Sequence, residues 1–256
     1  YELPKNERGK NNLHSSPDGY DRMVWNYQVD EEHLSVRFYR MSPDLEQGYP
    51  GNFEISVTYT LTEENEVQIH YHGVSDKDTV ANMTNHTYFN LSGHQNGTIL
   101  NHEVWIDANA FTAIDEESIP TGEICQVKGT PFDFRKQKRV GDEIDADHKQ
   151  LILAGGYDHN FVLNKEKGEL KKIAEVFDPE SKRKMEVSTT CVGVQFYTGN
   201  FITEGVQGKE GAIYHKRSGL CLETQFFPDA VHHENFPSPI LKAGEPYDSV
   251  TIYKFI

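Results

Sequence analysis

Four stretches of this chain combine residue types that move protons or hold hydroxyl groups. In the first, Asn82-Met83-Thr84-Asn85-His86-Thr87-Tyr88-Phe89-Asn90-Leu91-Ser92-Gly93, polar and apolar residues alternate near the end. Read as a strand running into a turn, it sets His86, Tyr88 and Asn90 on one side and Thr87, Phe89 and Leu91 on the other, because successive strand side chains take opposite faces. Three polar groups on one face suggest a site; the same spacing also suits an ordinary rim or buried histidine with Asn90 opening the turn. Gly155-Gly156-Tyr157-Asp158-His159-Asn160-Phe161 places Asp158 and Asn160 together as the chain leaves a glycine turn. Gly193-Val194-Gln195-Phe196-Tyr197-Thr198-Gly199-Asn200 offers Gln195 opposite Val194 and Phe196, and Gly219-Leu220-Cys221-Leu222-Glu223-Thr224-Gln225 puts Cys221 and Glu223 opposite Leu220 and Leu222. Taken singly, Asp158 also reads as a turn or capping aspartate, Gln195 as a pleat-surface amide and Glu223 as the solvated face of a strand.

Histidine spacing raises a metal reading, since His70 and His72 share one face of a strand and His232-His233 is a second pair. Neither pair has a third ligand nearby in sequence, so no metal is expected. No glycine loop has the phosphate-cradling pattern followed by lysine, so no nucleotide cofactor is expected either.

Strands must position these residues. Leu34, Val36 and Phe38 alternate with Ser35, Arg37 and Tyr39, and Phe53, Ile55, Val57, Tyr59 and Leu61 alternate with Glu54, Ser56, Thr58 and Thr60, the period of half-buried strands. The short connection 63–66 predicts a hairpin pairing 53–61 with 67–72. Further strand-like segments are 103–106, 161–163, 173–178, 184–190, 194–197, 220–224 and 250–255. Residues 119–122 read as a turn, 131–135 and 142–147 as irregular, and 5–19 as a polar loop holding His14 and the turn signal Asp18-Gly19. Only 151–154 and 165–172 suit a helical turn. Many short strands separated by turn signals predict an all-β sandwich or barrel rather than alternating βα units, with residues 1–256 as one domain.

The 14 Phe and 13 Tyr favour strands over helices. With 25 basic against 40 acidic residues, the net charge of −15 repels phosphate backbones and anionic membranes, so neither nucleic acid nor membrane is an expected partner. The three cysteines, Cys125, Cys191 and Cys221, are scattered and odd in number, which points to a reducing, cytoplasmic setting. No apolar run approaches the ~18 residues of a membrane span, and no signal-peptide pattern opens the chain. Sugars at the four sequons Asn82, Asn85, Asn90 and Asn96 would smother the very stretch that looks like a site, so these read as chance products of an Asn/Thr-rich segment. The chain opens at Tyr1-Glu2-Leu3 without Met, as a processed chain or a fragment would.

Together the stretches resemble the aldose 1-epimerase, or galactose mutarotase, family. The resemblance is carried by Asn85-His86-Thr87-Tyr88-Phe89-Asn90-Leu91, Asp115-Glu116 with Ile119-Pro120-Thr121-Gly122-Glu123, Gly156 to Phe161, Gly193 to Asn200, Leu222-Glu223-Thr224-Gln225 with Pro228-Asp229-Ala230, Asn235-Phe236-Pro237-Ser238, Gly244-Glu245 and Tyr253-Lys254-Phe255. They run in the family's order from about residue 12 to the C-terminus. The resemblance implies a large antiparallel β-sandwich with an open sugar-binding groove and a cofactor-free interconversion of the α and β anomers of a free hexose, galactose or glucose. It assigns general acid to His86 and general base to Glu223, on opposite sides of the sugar, and sugar-hydroxyl binding to Asp158, Gln195 and His14, with Tyr88 as a groove wall. Two departures stand out: Ser15-Ser16 follows His14 where the family has two glycines, and the family's N-terminal segment, with an arginine that helps to hold the sugar, has no counterpart here. The second keeps open a catalytically inactive, mutarotase-like sugar-binding module. A hexose-phosphate mutarotase would gather Arg and Lys near Asp158 and Glu223, which the acidic balance opposes.

Overall fold

The computed structural model describes residues 1–15 and 18–256. Ser16 and Pro17, and with Ser16 half of the Ser15-Ser16 departure, lie outside the described residues. The chain divides into two compact units: Tyr1–Glu63, Val67–Asn82 and Pro239–Val250 form the first, and Glu64–Glu66, Met83–Ser238 and Thr251–Ile256 the second.

In the first unit the strands Asn26–Asp30, Ser35–Ser42, Phe53–Leu61 and Glu66–Ser75 follow one another in space as in sequence, each antiparallel to the next. The expected hairpin forms, with Val57 opposite Tyr71 and Thr58 opposite His70. Apolar residues at every second position drive it: Phe53, Ile55, Val57, Ile69 and Tyr71 are buried, each worth about 1.5–3 kcal/mol when fully removed from water. The burial stops short of the sequence pattern, for Tyr59 and Leu61 are 36% and 54% exposed. A short pair, Thr79–Val80 with Ile240–Leu241, completes the unit, and the long strand Pro246–Phe255 begins here and continues into the second.

The second unit is a β-sandwich. One sheet has the spatial order Cys221–Gln225, Gly193–Tyr197, Asp158–Leu163, Ala108–Ile114, Pro120–Gln126, antiparallel throughout. The other runs from the end of Pro246–Phe255 through Lys184–Thr189, Lys171–Phe177 and Glu103–Ile106 to Lys138–Arg139. The sheets meet where Tyr253 donates to the Leu222 carbonyl (2.8 Å) and Thr224 bonds Thr251. Beneath the first sheet Phe111, Phe132, Phe134, Tyr157, Phe161 and Phe196 are all at most 1% exposed and pack in mixed geometries, edge to face between Phe134 and Phe196 at 5.4 Å and stacked between Phe111 and Phe132 at 4.1 Å. Among the described residues no helix is long and apolar enough to cross a membrane.

Three local expectations change. The single α-helix among the described residues, Lys149–Ala154, covers the predicted turn at 151–154 and stops at Gly155, whose left-handed φ of 64° suits glycine. Residues 165–172 hold no helix: Gly168 turns the chain with φ 81°, Lys165 Nζ is drawn to the Thr190 and Cys191 carbonyls, and strand begins at Lys171. The turn read at 119–122 sits earlier, closed by Asp115 N–H to the Ile119 carbonyl (2.9 Å), and Pro120 already opens a strand.

Candidate active site

One face of the five-stranded sheet collects the chemistry. Its register sets Asp158, Tyr197 and Cys221 in one row and Asn160, Gln195 and Glu223 in the next, with Gly193 beside Gln225 below. Period-two alternation sends the intervening residues, His159, Phe161, Val194, Phe196 and Leu222, into the core. Gly193 is required where it stands: a Cβ there would lie 2.9 Å from the Phe227 ring and press on Asn160.

The rows are tied by hydrogen bonds. Gln195 Nε2 donates to Asp158 Oδ1 at 2.8 Å, and Gln225 Nε2 donates to Gln195 Oε1 and Asn160 Oδ1, each at 3.4 Å. Asn160 Nδ2 is buried without a partner. At the edge of the sheet, buried Arg217 ties the turn before Asp158–Leu163 to the end of Gly193–Tyr197, donating to the Gly155 carbonyl (2.7 Å) and Thr198 Oγ1 (2.9 Å). Asn200 joins them by donating to the Ala154 and Tyr157 carbonyls at 2.8 and 3.0 Å. The hydrogen-bond partners of Arg217 are neutral oxygens, and burial holds its guanidinium below the ordinary value.

Residues 82–93 reach this face differently from the sequence expectation. They form no regular strand: Phe89 makes an isolated bridge to Leu220, exchanging hydrogen bonds at 2.8 and 3.0 Å. Side chains replace the missing ladder, with Asn85 donating to Tyr253 Oη (3.0 Å), Leu91 N–H to His102 Nε2 (2.9 Å) and Arg183 to the Leu91 carbonyl (2.8 Å). Asn90 takes the bland role, accepting from Ser92 N–H and donating to the Ser218 carbonyl. His86 and Tyr88 do share a side, their rings stacked at 5.0 Å and both set edge-on to Tyr197.

His86 comes down on Glu223. Its Nε2 lies 3.6 Å from Glu223 Oε1, and its Nδ1 lies 3.4 Å from Cys221 Sγ, so two residues of one strand flank the two nitrogens of one ring. The expectation of acid and base parted by the width of a sugar is therefore corrected. Glu223 is 4% exposed, and burial, with Asp158's charge adding to it, pushes its carboxyl up to about 8. Burial also lifts Asp158 to about 6 against the pull of the Gln195 amide, and lowers His86 against a hydrogen bond to its own backbone. Both members of the pair resist charge for the same reason, the loss of water. Near neutrality they hold one proton between them. Burial raises Cys221 as well, keeping it a thiol, whereas a metal ligand is a thiolate.

The sequence profile of the aldose 1-epimerase family matches residues 1–254. The chain belongs to this family. It is 47% identical to the galactose mutarotase of Mus musculus over 255 residues, all of this chain and 72% of that protein, and 40% identical to the aldose 1-epimerase of Escherichia coli K12 over 97% of this chain and 71% of that one. Among solved structures it superposes on an aldose epimerase homologue from C. elegans with TM-score 0.88 and 27% identity (100% and 75% covered), and on a galactose 1-epimerase from Lactobacillus acidophilus with TM-score 0.85 and 30% identity (100% and 72% covered).

Of the six residues singled out in this aldose 1-epimerase family sequence, His86, Tyr88, Asp158, Gln195 and Glu223 lie in the second unit and gather on one face. His14 lies in the first unit, exposed in a turn at φ 55°, where Asn6 and Leu13 exchange hydrogen bonds at 2.9 and 2.8 Å. Sequence reasoning passed over Tyr197, Gln225 and Arg217. Tyr197 and Gln225 each sit two positions from a chosen residue, at the strand period; Arg217 leaves no periodic signal.

Proposed function

We propose that this chain is an aldose 1-epimerase that opens and recloses the pyranose ring of a free hexose, galactose or glucose, with Glu223 as general base and His86 as general acid. In the reacting form the pair's one proton sits on His86 and Glu223 is ionised; Glu223 takes the proton of the C1 hydroxyl while His86 Nε2 delivers its own to the ring oxygen. Rotation about the C1–C2 bond turns the other carbonyl face to the oxygen, and reclosure returns both protons, so the catalyst resets without cofactor. The ring oxygen and the C1 hydroxyl are bonded to the same carbon, so acid and base serve best as neighbours, and the 3.6 Å approach of His86 to Glu223 is the observation that carries the reading. The pair needs one proton in total, the count its opposed shifts favour near neutrality.

Asp158 and Gln195, joined at 2.8 Å, are read as the acceptor and donor for sugar hydroxyls, Tyr88 as an aromatic wall and His14 as a further hydroxyl ligand. Residues 1–256 are read as one catalytic domain, at work in the cytoplasm on small sugars and not on nucleic acid or membranes. Polarimetry of freshly dissolved α-D-galactose and α-D-glucose, with and without protein, tests the activity. Accelerated decay of optical rotation supports it; binding of either sugar without acceleration assigns the chain to sugar capture alone. Acceleration confined to a phosphorylated hexose would replace the substrate assignment.

A further inference from the structure

We propose that His70, His72 and Asp248 form a site for a divalent transition-metal ion of the zinc, nickel or copper class. All three belong to the first unit. His70 and His72 are two apart on Glu66–Ser75, and the residues that alternate with them, Ile69, Tyr71 and Gly73, face inward, so the two rings share the outer face. Pairing of Thr58 with His70 and of Ser56 with His72 fixes the backbone that bears them. Asp248, on Pro246–Phe255, supplies the third donor that sequence spacing did not reveal. Its Oδ2 lies 2.9 Å from His70 Nε2 and 3.3 Å from His72 Nδ1, a single oxygen held between two ring nitrogens.

That oxygen marks a point both imidazoles already address. Zinc–nitrogen bonds are about 2.0–2.1 Å, so a metal near this point asks each ring to close by roughly 1 Å while the carboxylate turns aside to coordinate. The side chains are 46%, 47% and 56% exposed, which leaves them free to make that movement and leaves the remaining coordination positions to water. Two imidazoles with one carboxylate select zinc, nickel or copper over magnesium and calcium, which take oxygen ligands. Burial works against the charge on Asp248, but the hydrogen bonds from His70 and His72 hold its carboxyl below the usual range, so the donor is an anion. The net charge of −15 raises the local concentration of cations.

Calorimetric titration of EDTA-stripped protein with ZnCl2 and with NiCl2 tests the site, using wild type, His70→Gln/His72→Gln, Asp248→Asn and His232→Gln/His233→Gln. Binding should disappear in the first double variant, weaken by about tenfold or more in Asp248→Asn, and persist in the second. It should also weaken as pH falls, because ligating imidazoles must be neutral. Melting curves of the stripped variants establish that each is folded, and nitrogen couplings in the Cu2+ electron paramagnetic resonance spectrum should be present in wild type and absent from His70→Gln/His72→Gln. An isotherm unchanged in that variant overturns the proposal, as does failure of the wild type to saturate below about 1 mM metal.

Discussion

Replacing Glu223 with glutamine keeps the side-chain shape and removes the ionisable group, and it should separate activity from stability in a pH-dependent way. As general base Glu223 is worth about 10²- to 10⁴-fold, or ~3–5 kcal/mol of barrier, so Glu223→Gln should lose activity by that factor in kcat. Stability should move the other way. Burial raises the carboxyl from 4.5 to about 8, so the folded state holds this proton more tightly than the unfolded chain. Its contribution to stability is full below pH 4.5 and is lost as pH rises through about 8. The span corresponds to an energy on the order of 5 kcal/mol. The amide brings its own desolvation cost, which does not depend on pH, so the diagnostic is the slope. Urea unfolding of wild type and Glu223→Gln from pH 4.5 to 9 should show the variant gaining on wild type by a few kcal/mol across the range, while polarimetry shows it inactive. A stability difference that stays flat with pH would refute the buried, proton-holding carboxyl, and mutarotation near the wild-type rate would remove Glu223 from the role of base.

His86→Asn should cost about 10²- to 10⁴-fold in kcat with little change in melting, because the ring is about one-third exposed. The wild-type rate should be bell-shaped in pH: its acid limb lies below the ordinary imidazole value of 6.5, where both groups carry protons and no base remains, and its basic limb lies near 8, where neither carries one. Asp158→Asn should lower kcat/KM by roughly 10- to 100-fold, the worth of a charged hydrogen bond, with KM raised. Because Asp158's charge helps to hold Glu223 high, the same variant should also move the basic limb to lower pH in the kcat profile. Gln195→Leu removes the amide that pulls Asp158 down, so Asp158 should titrate above about 6, visible as an upward move of its carboxyl resonance in NMR.

Residues 82–93 show where periodicity misleads. Alternation grouped His86 with Tyr88 correctly, since an extended backbone alternates its side chains with or without a neighbour. It could not show that the stretch forms no regular strand and bridges to Leu220 through Phe89, or that Asn85 and Asn90 spend their amides on Tyr253 and Ser218. Likewise 165–172 is rich in helix-forming lysine and glutamate, yet Gly168 and the pull of distant carbonyls on Lys165 override so short a run. The third donor beside His70 and His72 was invisible because Asp248 stands more than 170 positions away.

The chain's own letters determined the strands and which side chains share a face of each, because a period of two is a local property of extended backbone. They therefore supplied Asp158 with Asn160, and Cys221 with Glu223, as pairs. Only the tertiary structure decided that Asp158 stands opposite Tyr197 and Gln195 opposite Glu223, since register comes from pairing segments 28 to 39 positions apart, where loop closure and core packing and not local preference select the partner. The same holds for the chemistry: a glutamate in a sequence is an ordinary acid, and it becomes a proton-holding carboxyl near 8 only where folding strips its water and sets Asp158 beside it.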